Sequence, residues 1–364
     1  MNVLIINPII YTSETRNIPK VSSIKDSMIY DLCLAFYEEG HNVTLYAADS
    51  YKPLTQEDYP FEVIWDKCIF PKIFAPHRFP VLSNLKKYIK QHKFDLIITS
   101  ELFSKNSLTA YRTAPKKTII WHELAKHNNM FKKIPSKIWY NIVVPLFMRT
   151  AIVVARSYDA KTFAEKYCKN INNKIIDHGV NLDKFNLCLL KNNSFVVCSQ
   201  LIERKRIDGI LANFQKYLKK YNNSSILYII GEGNLKQALI NQSHELNIAN
   251  NVVFTGKMNH EDLTPLLSEA SALLVNTNQD NNMISIVESI ATATPIVTTT
   301  VPLNSKYIIE YNLGIAKDSW NEDDLHKISE NNNFYVNNCV EYRKKLSTEF
   351  KVQQFIEVLQ NINL

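Results

Sequence analysis

The sequence lacks the short motifs that mark several common protein classes. Its six cysteines are scattered, with no Cys-x-x-Cys pair and no histidine cluster of the kind that holds zinc. This pattern predicts a reduced, cytoplasmic protein without structural metal. Only seven glycines occur in 364 residues, and the loop at 8–22 after the first apolar run has none. That loop therefore lacks a Gly-x-Gly-x-x-Gly fingerprint, which argues against a dinucleotide-binding dehydrogenase.

Long hydrophobic runs are also missing. The first residues lack the basic start and cleavage site of a signal peptide and are typical of a buried strand. The most apolar later stretch, 138–155, is interrupted by Asn141, Pro145 and Arg149, so it does not predict a bilayer span. With 46% hydrophobic and 21% charged residues, the composition is that of a globular protein of about two domains.

Positive charge is concentrated in the first half of the chain. Residues 1–185 carry 26 Lys plus Arg against 17 Asp plus Glu, whereas the remainder carries 16 against 18. Two lysine clusters are mixed with aromatic or aliphatic residues: Lys86, Lys87, Lys90 and Lys93, and Lys126, Lys132, Lys133 and Lys137. Such a surface fits an anionic membrane or a phosphorylated acceptor. It fits a solvated, solubilising face equally well.

Short apolar runs alternate with amphipathic stretches, as in parallel sheets covered by helices. In the first half, strands are expected at 3–7, 43–47, 63–65, 96–99, 118–121, 152–155 and 174–176. In the second half, they are expected at 195–199, 227–230, 252–255, 273–276, 296–299 and 314–316. We therefore predict two doubly wound α/β domains with a boundary after Phe185.

Ligands of open α/β sheets bind at the carboxyl ends of the strands, so the segments after each strand are the candidates. In the loop after the first strand, Ser22 and Ser23 precede Lys25, and Ser23 is expected to cap a helix with Asp26 three residues on. Free backbone N–H groups beside Lys25 would then hold an anion. The alternative is a capping box without a ligand.

His122 ends the fifth predicted strand and is followed by Glu123. A histidine in this place can donate a hydrogen bond to a sugar hydroxyl or a phosphate near neutral pH. A structural histidine is the alternative.

Three adjacent cations, Arg204, Lys205 and Arg206, follow the first strand of the second half. An ammonium supplies a point charge and a guanidinium a planar fork, both suited to a diphosphate. We interpret the group as a clamp for a leaving group, with a solvated basic turn as the alternative. The glycines at 231, 233 and 256 follow the next two strands and permit a close approach of backbone or ligand.

Asp280 opens a polar stretch that runs into an apolar helix containing Glu288. The polar residues are expected to cap this helix, which presents backbone N–H groups to a ligand. Those groups belong to Asn281, Asn282, Met283, Ile284 and Ser285. A carboxylate in an apolar helix is costly to bury without donors, and a ribose diol would supply two to Glu288. A structural salt bridge is the alternative for Glu288.

Together these segments resemble the family 4 retaining glycosyltransferases, in the right order and over nearly the whole chain. The family's Asn-Gly-Val-Asp-x-x-x-Phe segment resembles 178–185, and its Gly-Arg-Leu-x-x-x-Lys-Gly segment resembles 199–206. Its Glu-x7-Glu element resembles Asp280 and Glu288. The resemblance implies the GT-B fold, two Rossmann-like doubly wound domains facing a central cleft.

The implied domains are an acceptor-side domain at 1–186 and a nucleotide-sugar-binding domain at 193–345. The segment 346–364 is implied to be a helix that packs back on the first domain.

The resemblance also implies individual roles. Lys205 matches the lysine that holds the donor diphosphate, and Glu288 the glutamate that binds ribose. Asp280 matches the acid that contacts the donor sugar, and His122 the histidine near the reacting sugar. The backbone at 281–285 would hold sugar hydroxyls and phosphate, while Gly256 and Lys257 lie where the family binds the base. No metal or other cofactor is implied beyond a UDP- or GDP-sugar substrate.

Three departures from the family pattern stand out. Gln200 replaces a basic residue, and we expect Arg204 to supply the guanidinium from across the turn. Ser22 and Ser23 replace a glycine-rich acceptor loop. Asp280 is one methylene shorter than glutamate, so we expect it to select another donor hydroxyl or to act through water.

The expected function is retaining transfer of a sugar from a nucleotide-sugar donor to a glycan or lipid-linked acceptor, in surface polysaccharide biosynthesis. We expect a cytoplasmic protein, with peripheral contact at the inner face of the cell membrane as an option, and no nucleic-acid partner. The alternatives are a GT-B nucleotide-sugar epimerase and an inactive partner subunit.

Overall fold

The computed structural model describes residues 1–11, 21–69, 80–221, 224–280 and 282–362. Internal contacts divide the chain into two units. The first unit comprises Met1–Val180 with Thr348–Leu364, and the second comprises Asn181–Ser347. The division thus falls after Val180, whereas the sequence placed a boundary after Phe185.

The first unit is built on a parallel sheet. Its strands are β1 (Asn2–Ile6), β2 (Asn42–Ala48), β3 (Glu62–Asp66), β4 (Leu96–Ser100), β5 (Thr118–His122), β6 (Ile152–Ala155) and β7 (Ile171–Ile175). Within the described residues the order is β3-β2-β1-β4-β5-β6-β7, and every pairing is parallel. The strands are apolar runs because helices cover both faces of such a sheet. The strand order reverses between β1 and β4, which is where open α/β sheets bind ligands.

Helices connect these strands. They are α1 (Met28–Glu38), α2 (Leu85–Gln91), α3 (Lys105–Thr113), α4 (Ile134–Ile138), α5 (Val144–Phe147) and α6 (Tyr158–Glu165). A π-helical turn, Trp139–Val143, joins α4 to α5, so the chain is helical without a break from Ile134 to Phe147.

The second unit repeats this architecture. Its strands are β8 (Ser194–Cys198), β9 (Ile226–Ile230), β10 (Val252–Gly256), β11 (Ala272–Leu274), β12 (Ile296–Thr298) and β13 (Gly314–Ala316). Its helices are α7 (Ile207–Lys220), α8 (Lys236–Glu245), α9 (His260–Glu269), α10 (Ile284–Ala291), α11 (Ser305–Glu310), α12 (Glu322–Glu330) and α13 (Asn332–Leu346). The described strands form a parallel sheet in the order β10-β9-β8-β11-β12-β13.

The predicted fold class, with two Rossmann-like doubly wound α/β domains, is confirmed. Every predicted strand is present, and the largest shift of a strand start is at β7, which begins at Ile171 rather than at 174.

The C-terminal helix, α14 (Thr348–Ile362), belongs to the first unit. Its Val352 and Phe355 side chains are fully buried in that unit's core, where the Phe355 ring meets the Trp121 ring edge-on at 5.4 Å. The Thr348 N–H donates to the carbonyl oxygen of Val180 at 3.1 Å. A side chain at Gly179 would come within 2.8 Å of the Thr348 backbone, so glycine allows the two segments to meet.

Candidate functional site

The turn after β8 carries the cations that the sequence singled out. Residues Glu203–Lys205 form a short 3₁₀ turn, and Arg206 then adopts a left-handed conformation, with φ at +49°, as α7 begins. The turn places Lys205 inside the unit, where only 9% of the residue is exposed. An ammonium so deep in a protein needs an anionic partner.

That partner is Asp280, which Arg204 and Lys205 both contact. The Lys205 Nζ lies 2.6 Å from Asp280 Oδ2, and the Arg204 Nη1 lies 3.0 Å from Oδ1. The Thr277 hydroxyl also donates to Oδ2, at 2.9 Å. Burial raises the pKa of Asp280, but these donors outweigh it and hold the pKa below its ordinary value. Three predicted site residues thus meet in one cluster, with two positive charges against one negative.

Backbone contacts fix the position of this cluster. Arg204 Nη1 donates to the carbonyl oxygen of Gln279 at 2.8 Å, and the Asn278 N–H donates to the carbonyl oxygen of Arg204 at 2.8 Å. Arg206 lies apart, with its Nε 3.8 Å from Asp208 Oδ1 and both side chains about half exposed. The clamp predicted from three cations therefore contains two, Arg204 and Lys205, which we call the cation clamp.

Helix α10 follows Asp280 in the chain and begins without a side-chain cap. Its N-cap is Met283, whose N–H donates to Asn304 Oδ1 at 3.3 Å and whose carbonyl oxygen accepts from Asn304 Nδ2 at 2.9 Å. The prediction that polar residues cap this helix is wrong, because its N-cap is Met283, which has no capping side chain. Among the described residues no side chain accepts from the Ile284 and Ser285 N–H groups, which lie at the positive end of the helix dipole.

The predicted backbone donors differ in their placement. Ser285 is buried, whereas Asn282 and Ile284 are exposed. Asn281 lies outside the described residues. Two of the described positions are thus at the surface of the second unit, while the N–H of Met283 is engaged by Asn304.

Glu288 lies within α10 and has few polar neighbours. Its side chain is 16% exposed, and its Oε1 is 3.8 Å from His260 Nε2. Among the described residues we find no hydrogen-bond donor to this carboxylate. Burial raises the pKa of Glu288. The 3.8 Å contact with His260 is too long for a hydrogen bond, so the carboxylate keeps its capacity to accept hydrogen bonds.

Glycines shape the neighbouring strand ends. A side chain at Gly231 would come within 1.9 Å of the Ser199 carbonyl oxygen, and one at Gly233 within 2.2 Å of that of Leu201. The backbone at 199–201 is therefore the group that approaches these glycines closely. Gly256 ends β10 with φ at +77° and accepts a hydrogen bond from Gly231 N–H at 2.9 Å, and Lys257 beyond it is exposed.

In the first unit, His122 is completely buried at the end of β5. Its Nδ1 lies 2.9 Å from Glu101 Oε2, and within the described part of the chain its Nε2 has no hydrogen-bond partner. The other Glu101 oxygen accepts from the Glu123 N–H at 2.9 Å. Burial alone would raise the pKa of Glu101. His122, Arg156 and the Glu123 N–H lower this pKa by more than burial raises it, so it lies below its ordinary value.

Glu101 was missed by the sequence analysis, which considered only Glu123 as the acidic neighbour of His122. Glu101 directly follows β4 and has φ at +68°, a left-handed conformation that glutamate rarely adopts. Strain of this kind clusters at functional sites. One feature of the sequence could have indicated Glu101: it lies one residue beyond an apolar strand, β4, and β4 pairs with β5.

Arg156 was also missed, and it extends this polar network beyond β6. Its guanidinium lies 3.7 Å over the Trp121 ring, and its Nη1 contacts Glu123 Oε2 and His178 Nε2, each at 2.8 Å. Burial, Arg156 and Lys351 hold the pKa of His178 well below its ordinary value, so His178 is neutral and accepts from the guanidinium. The carboxyl ends of β4, β5 and β6 thus share one polar network.

In the Ser22–Ser23–Lys25 loop, groups of the protein itself bind the backbone N–H groups that were predicted to hold an anion. The Ser23 hydroxyl accepts from the Lys25 N–H at 3.0 Å, and the Ile24 N–H points to Glu57 Oε2 at 3.3 Å. The prediction that Ser23 caps α1 is wrong, because Ser27 is the N-cap and accepts from the Tyr30 N–H. Glu57 supplies the negative charge that we expected from a ligand.

Among the described residues, no three His, Cys, Asp or Glu side chains gather as a metal site would require. No helix in that part of the chain is long and apolar enough to cross a bilayer.

The second unit thus carries a cation clamp, an uncapped helix start and a mostly buried carboxylate on the elements that follow its strands. Residues 27–184 match the family described as Glycosyltransferase Family 4, and residues 182–346 match that described as Glycosyl transferases group 1. The chain therefore belongs to the family 4 glycosyltransferases of GT-B fold.

Individual relatives are distant. An uncharacterized glycosyltransferase of Methanocaldococcus jannaschii is 23% identical over 64% of this chain and 62% of its own length. The alpha-monoglucosyldiacylglycerol synthase of Streptococcus pneumoniae is 22% identical over 77% of this chain and 68% of its own length. The structure of Anabaena HepE in complex with UDP and glucose superposes with a TM-score of 0.60 at 14% identity, covering 99% of this chain and 100% of that one.

Proposed function

We propose that the protein is a retaining glycosyltransferase that moves a sugar from a nucleotide-sugar donor to a glycan or lipid-linked acceptor in surface polysaccharide biosynthesis. The cluster of Lys205, Arg204 and Asp280 carries the proposal. Its excess positive charge suits a diphosphate, and the carboxylate of Glu288 suits the two hydroxyls of a ribose. The donor nucleotide therefore binds the second unit.

In the proposed reaction the acceptor hydroxyl attacks the anomeric carbon on the face from which the nucleotide departs. The new bond joins the acceptor oxygen to that carbon, the bond from carbon to phosphate oxygen breaks, and the acceptor proton passes to the departing phosphate. Negative charge grows on the diphosphate in an oxocarbenium-like transition state. Lys205, Arg204 and the start of α10 stabilise that charge more than they stabilise the ground state, which is the condition for catalysis.

In the proposed mechanism, the cation clamp stabilises the charge of the diphosphate without a metal ion. Two cationic side chains and a helix N-terminus are preorganised donors, and Asp280 holds both cations in place. When the donor binds, we expect the diphosphate to share these cations with Asp280, whose carboxylate also accepts from a hydroxyl of the donor sugar. His122, oriented by Glu101, is the proposed polar contact to the reacting sugar from the first unit.

The test is turnover of a Lys205→Ala variant. Thermal shift with UDP, GDP and their sugar conjugates first identifies the base, because a bound ligand raises the apparent stability by mass action. Release of the nucleoside diphosphate then reports turnover. Loss of one preorganised donor lowers kcat by about 10²–10³-fold.

Arg206→Ala is the matched control, since Arg206 is adjacent in sequence but contacts Asp208 instead of Asp280. We expect its kcat to stay within about twofold of the wild type, as is usual for an exposed ion pair. Near-normal turnover of Lys205→Ala would contradict the assignment, and so would an isomerised donor sugar formed without any acceptor.

A further inference from the structure

The helical run from Ile134 to Phe147 has a buried face and, opposite it, an exposed apolar face. The buried face repeats every fourth residue, at Ser136, Tyr140 and Val144, and Met148 continues it just beyond the run. The opposite face repeats with the same spacing and is exposed by 51 to 68%, at Ile134, Ile138, Ile142 and Leu146. We call these four exposed residues the outer stripe. A surface helix of a soluble domain normally carries polar residues on this face, so the outer stripe points to a partner.

Further apolar side chains extend the outer stripe at both ends. Phe131 and Phe147 are exposed by 69% and 46%. Phe131, Lys132 and Lys133 all have positive φ values, between +46° and +68°, which side-chain-bearing residues rarely adopt. This unusual turn leaves Phe131 and both lysines exposed.

The charge around the outer stripe has one sign. From 124 to 158 the sequence contains six Lys or Arg residues and no Asp or Glu. Five of these cations are exposed, namely Lys126, Lys132, Lys133, Lys137 and Arg149. An apolar face bordered by cations is the composition of helices that lie in the interface of an anionic membrane.

A second copy of the chain fits this surface poorly. Across a twofold interface the same cations would face one another, and like charges oppose association. An anionic lipid surface instead complements the cations and accepts the apolar side chains at the boundary of headgroups and acyl chains.

We propose that the outer stripe and its flanking cations dock the first unit on an anionic lipid bilayer. The apolar side chains enter the interfacial region while the lysines pair with lipid phosphates. The other lysine cluster, of which Lys86, Lys87 and Lys90 lie on α2, has no such role because no large apolar side chain of α2 is exposed. This docking is independent of the proposed transfer reaction, since it can be measured without turnover.

The experiment is co-sedimentation of the full chain with phosphatidylcholine vesicles, with and without 30% phosphatidylglycerol. We expect binding to the anionic vesicles only, weakening as salt is raised. Replacing Lys132, Lys133 and Lys137 by Gln should lower the affinity about 100-fold at low salt. A second variant, Ile138→Ser with Ile142→Ser and Leu146→Ser, should lower it at least tenfold.

The matched control replaces Lys86, Lys87 and Lys90 by Gln, which removes the same charge from α2. We expect its affinity to stay within about threefold of the wild type, because α2 has no exposed stripe. All replaced residues are exposed, so unfolding temperatures should stay close to that of the wild type.

The proposal is overturned if the wild type remains in the supernatant with anionic vesicles at low salt. It is overturned as well if the α2 control loses as much affinity as the Lys132 variant, or if the serine variant binds as the wild type does. A wild-type dimer that the serine replacements dissociate would also overturn it and assign the outer stripe to a second copy.

Discussion

Replacing Glu288 by Gln should move stability and ligand affinity in opposite directions. The Glu288 carboxylate is mostly buried, and its polar contact among the described residues is with His260, at 3.8 Å. An unpaired buried acceptor costs about 1–3 kcal/mol, and the residual exposure of Glu288 puts the cost near the lower end. A neutral amide still buries polar atoms, but it removes the charge, whose transfer out of water is the most costly part. We expect the unfolding temperature to rise by roughly 2–4 °C, the shift that 1 kcal/mol produces in a unit of this size.

The same change should weaken nucleotide binding. A ribose diol donates two hydrogen bonds to a carboxylate, whereas the amide of Gln accepts only through its oxygen and offers N–H groups to the other hydroxyl. Loss of one hydrogen bond to a charged group costs about 1.5–3 kcal/mol. The Kd for the matching nucleoside diphosphate should therefore rise about 10- to 150-fold.

The pH dependence gives a third readout. Because burial raises the pKa of Glu288, the folded state binds its proton more tightly than the unfolded state does. Stability is therefore lost as the pH rises from the unfolded pKa, near 4.3, through the folded pKa. The advantage of Glu288→Gln over the wild type should be absent below about pH 4 and largest at neutral pH.

Thermal unfolding between pH 4 and 8, with and without nucleotide, measures all three effects. Glu310→Gln is the control, since Glu310 is exposed at the end of α11, and it should change neither stability nor affinity. A lower unfolding temperature for Glu288→Gln would refute the reasoning, because Glu288 would then be a stabilising structural residue. Unchanged nucleotide affinity would refute the ribose assignment.

Two other predictions concern the first unit. Glu101→Gln should lower kcat about 10- to 150-fold, because the amide no longer holds His122 Nδ1 by a charged hydrogen bond. Nucleotide affinity should stay within twofold, and a change in that affinity of the same size would contradict the assignment to the first unit. Phe355→Ala should lower the free energy of unfolding by about 3–5 kcal/mol, since the ring is fully buried against Trp121. Denaturant unfolding checks this against Gln360→Ala on the exposed face of α14, and equal stability of the two variants would contradict the packing role of Phe355.

The strands were predictable from the sequence because parallel strands that are buried on both faces consist of continuous apolar residues. Val3–Ile6 and Ile296–Thr298 are recognisable without tertiary information. Helix starts were less predictable. Ser23 and Ser27 are both good N-cap residues, and the role of Ser23 depends in part on Glu57, which contacts the loop from 33 residues away.

Which residues belong to the candidate site was predictable, because they follow the strands in the sequence. Which side chains contact one another was less predictable. Lys205 and Asp280 were singled out separately, but 75 residues separate them and no local pattern indicates their 2.6 Å contact. His122 was assigned to its neighbour Glu123, whereas the pairing of β4 with β5 brings Glu101 to it. Side-chain partners across a sheet follow from register, which a single sequence specifies weakly.

The two hydrogen bonds between the Asn304 side chain and the Met283 backbone have a consequence for protein engineering. An uncapped helix start is a standard target for stabilising substitutions, and Ser or Asp at the N-cap typically adds about 1 kcal/mol. At Met283 such a substitution would direct its own oxygen to the N–H groups that α10 presents to a ligand. Here the Asn304 amide holds the backbone of Met283, so the helix start is anchored while, within the described part of the chain, no side chain accepts from the Ile284 and Ser285 N–H groups. A substitution at Met283 that raised the unfolding temperature would therefore weaken the proposed binding of the nucleotide-sugar. Stabilising substitutions should be made elsewhere in the second unit.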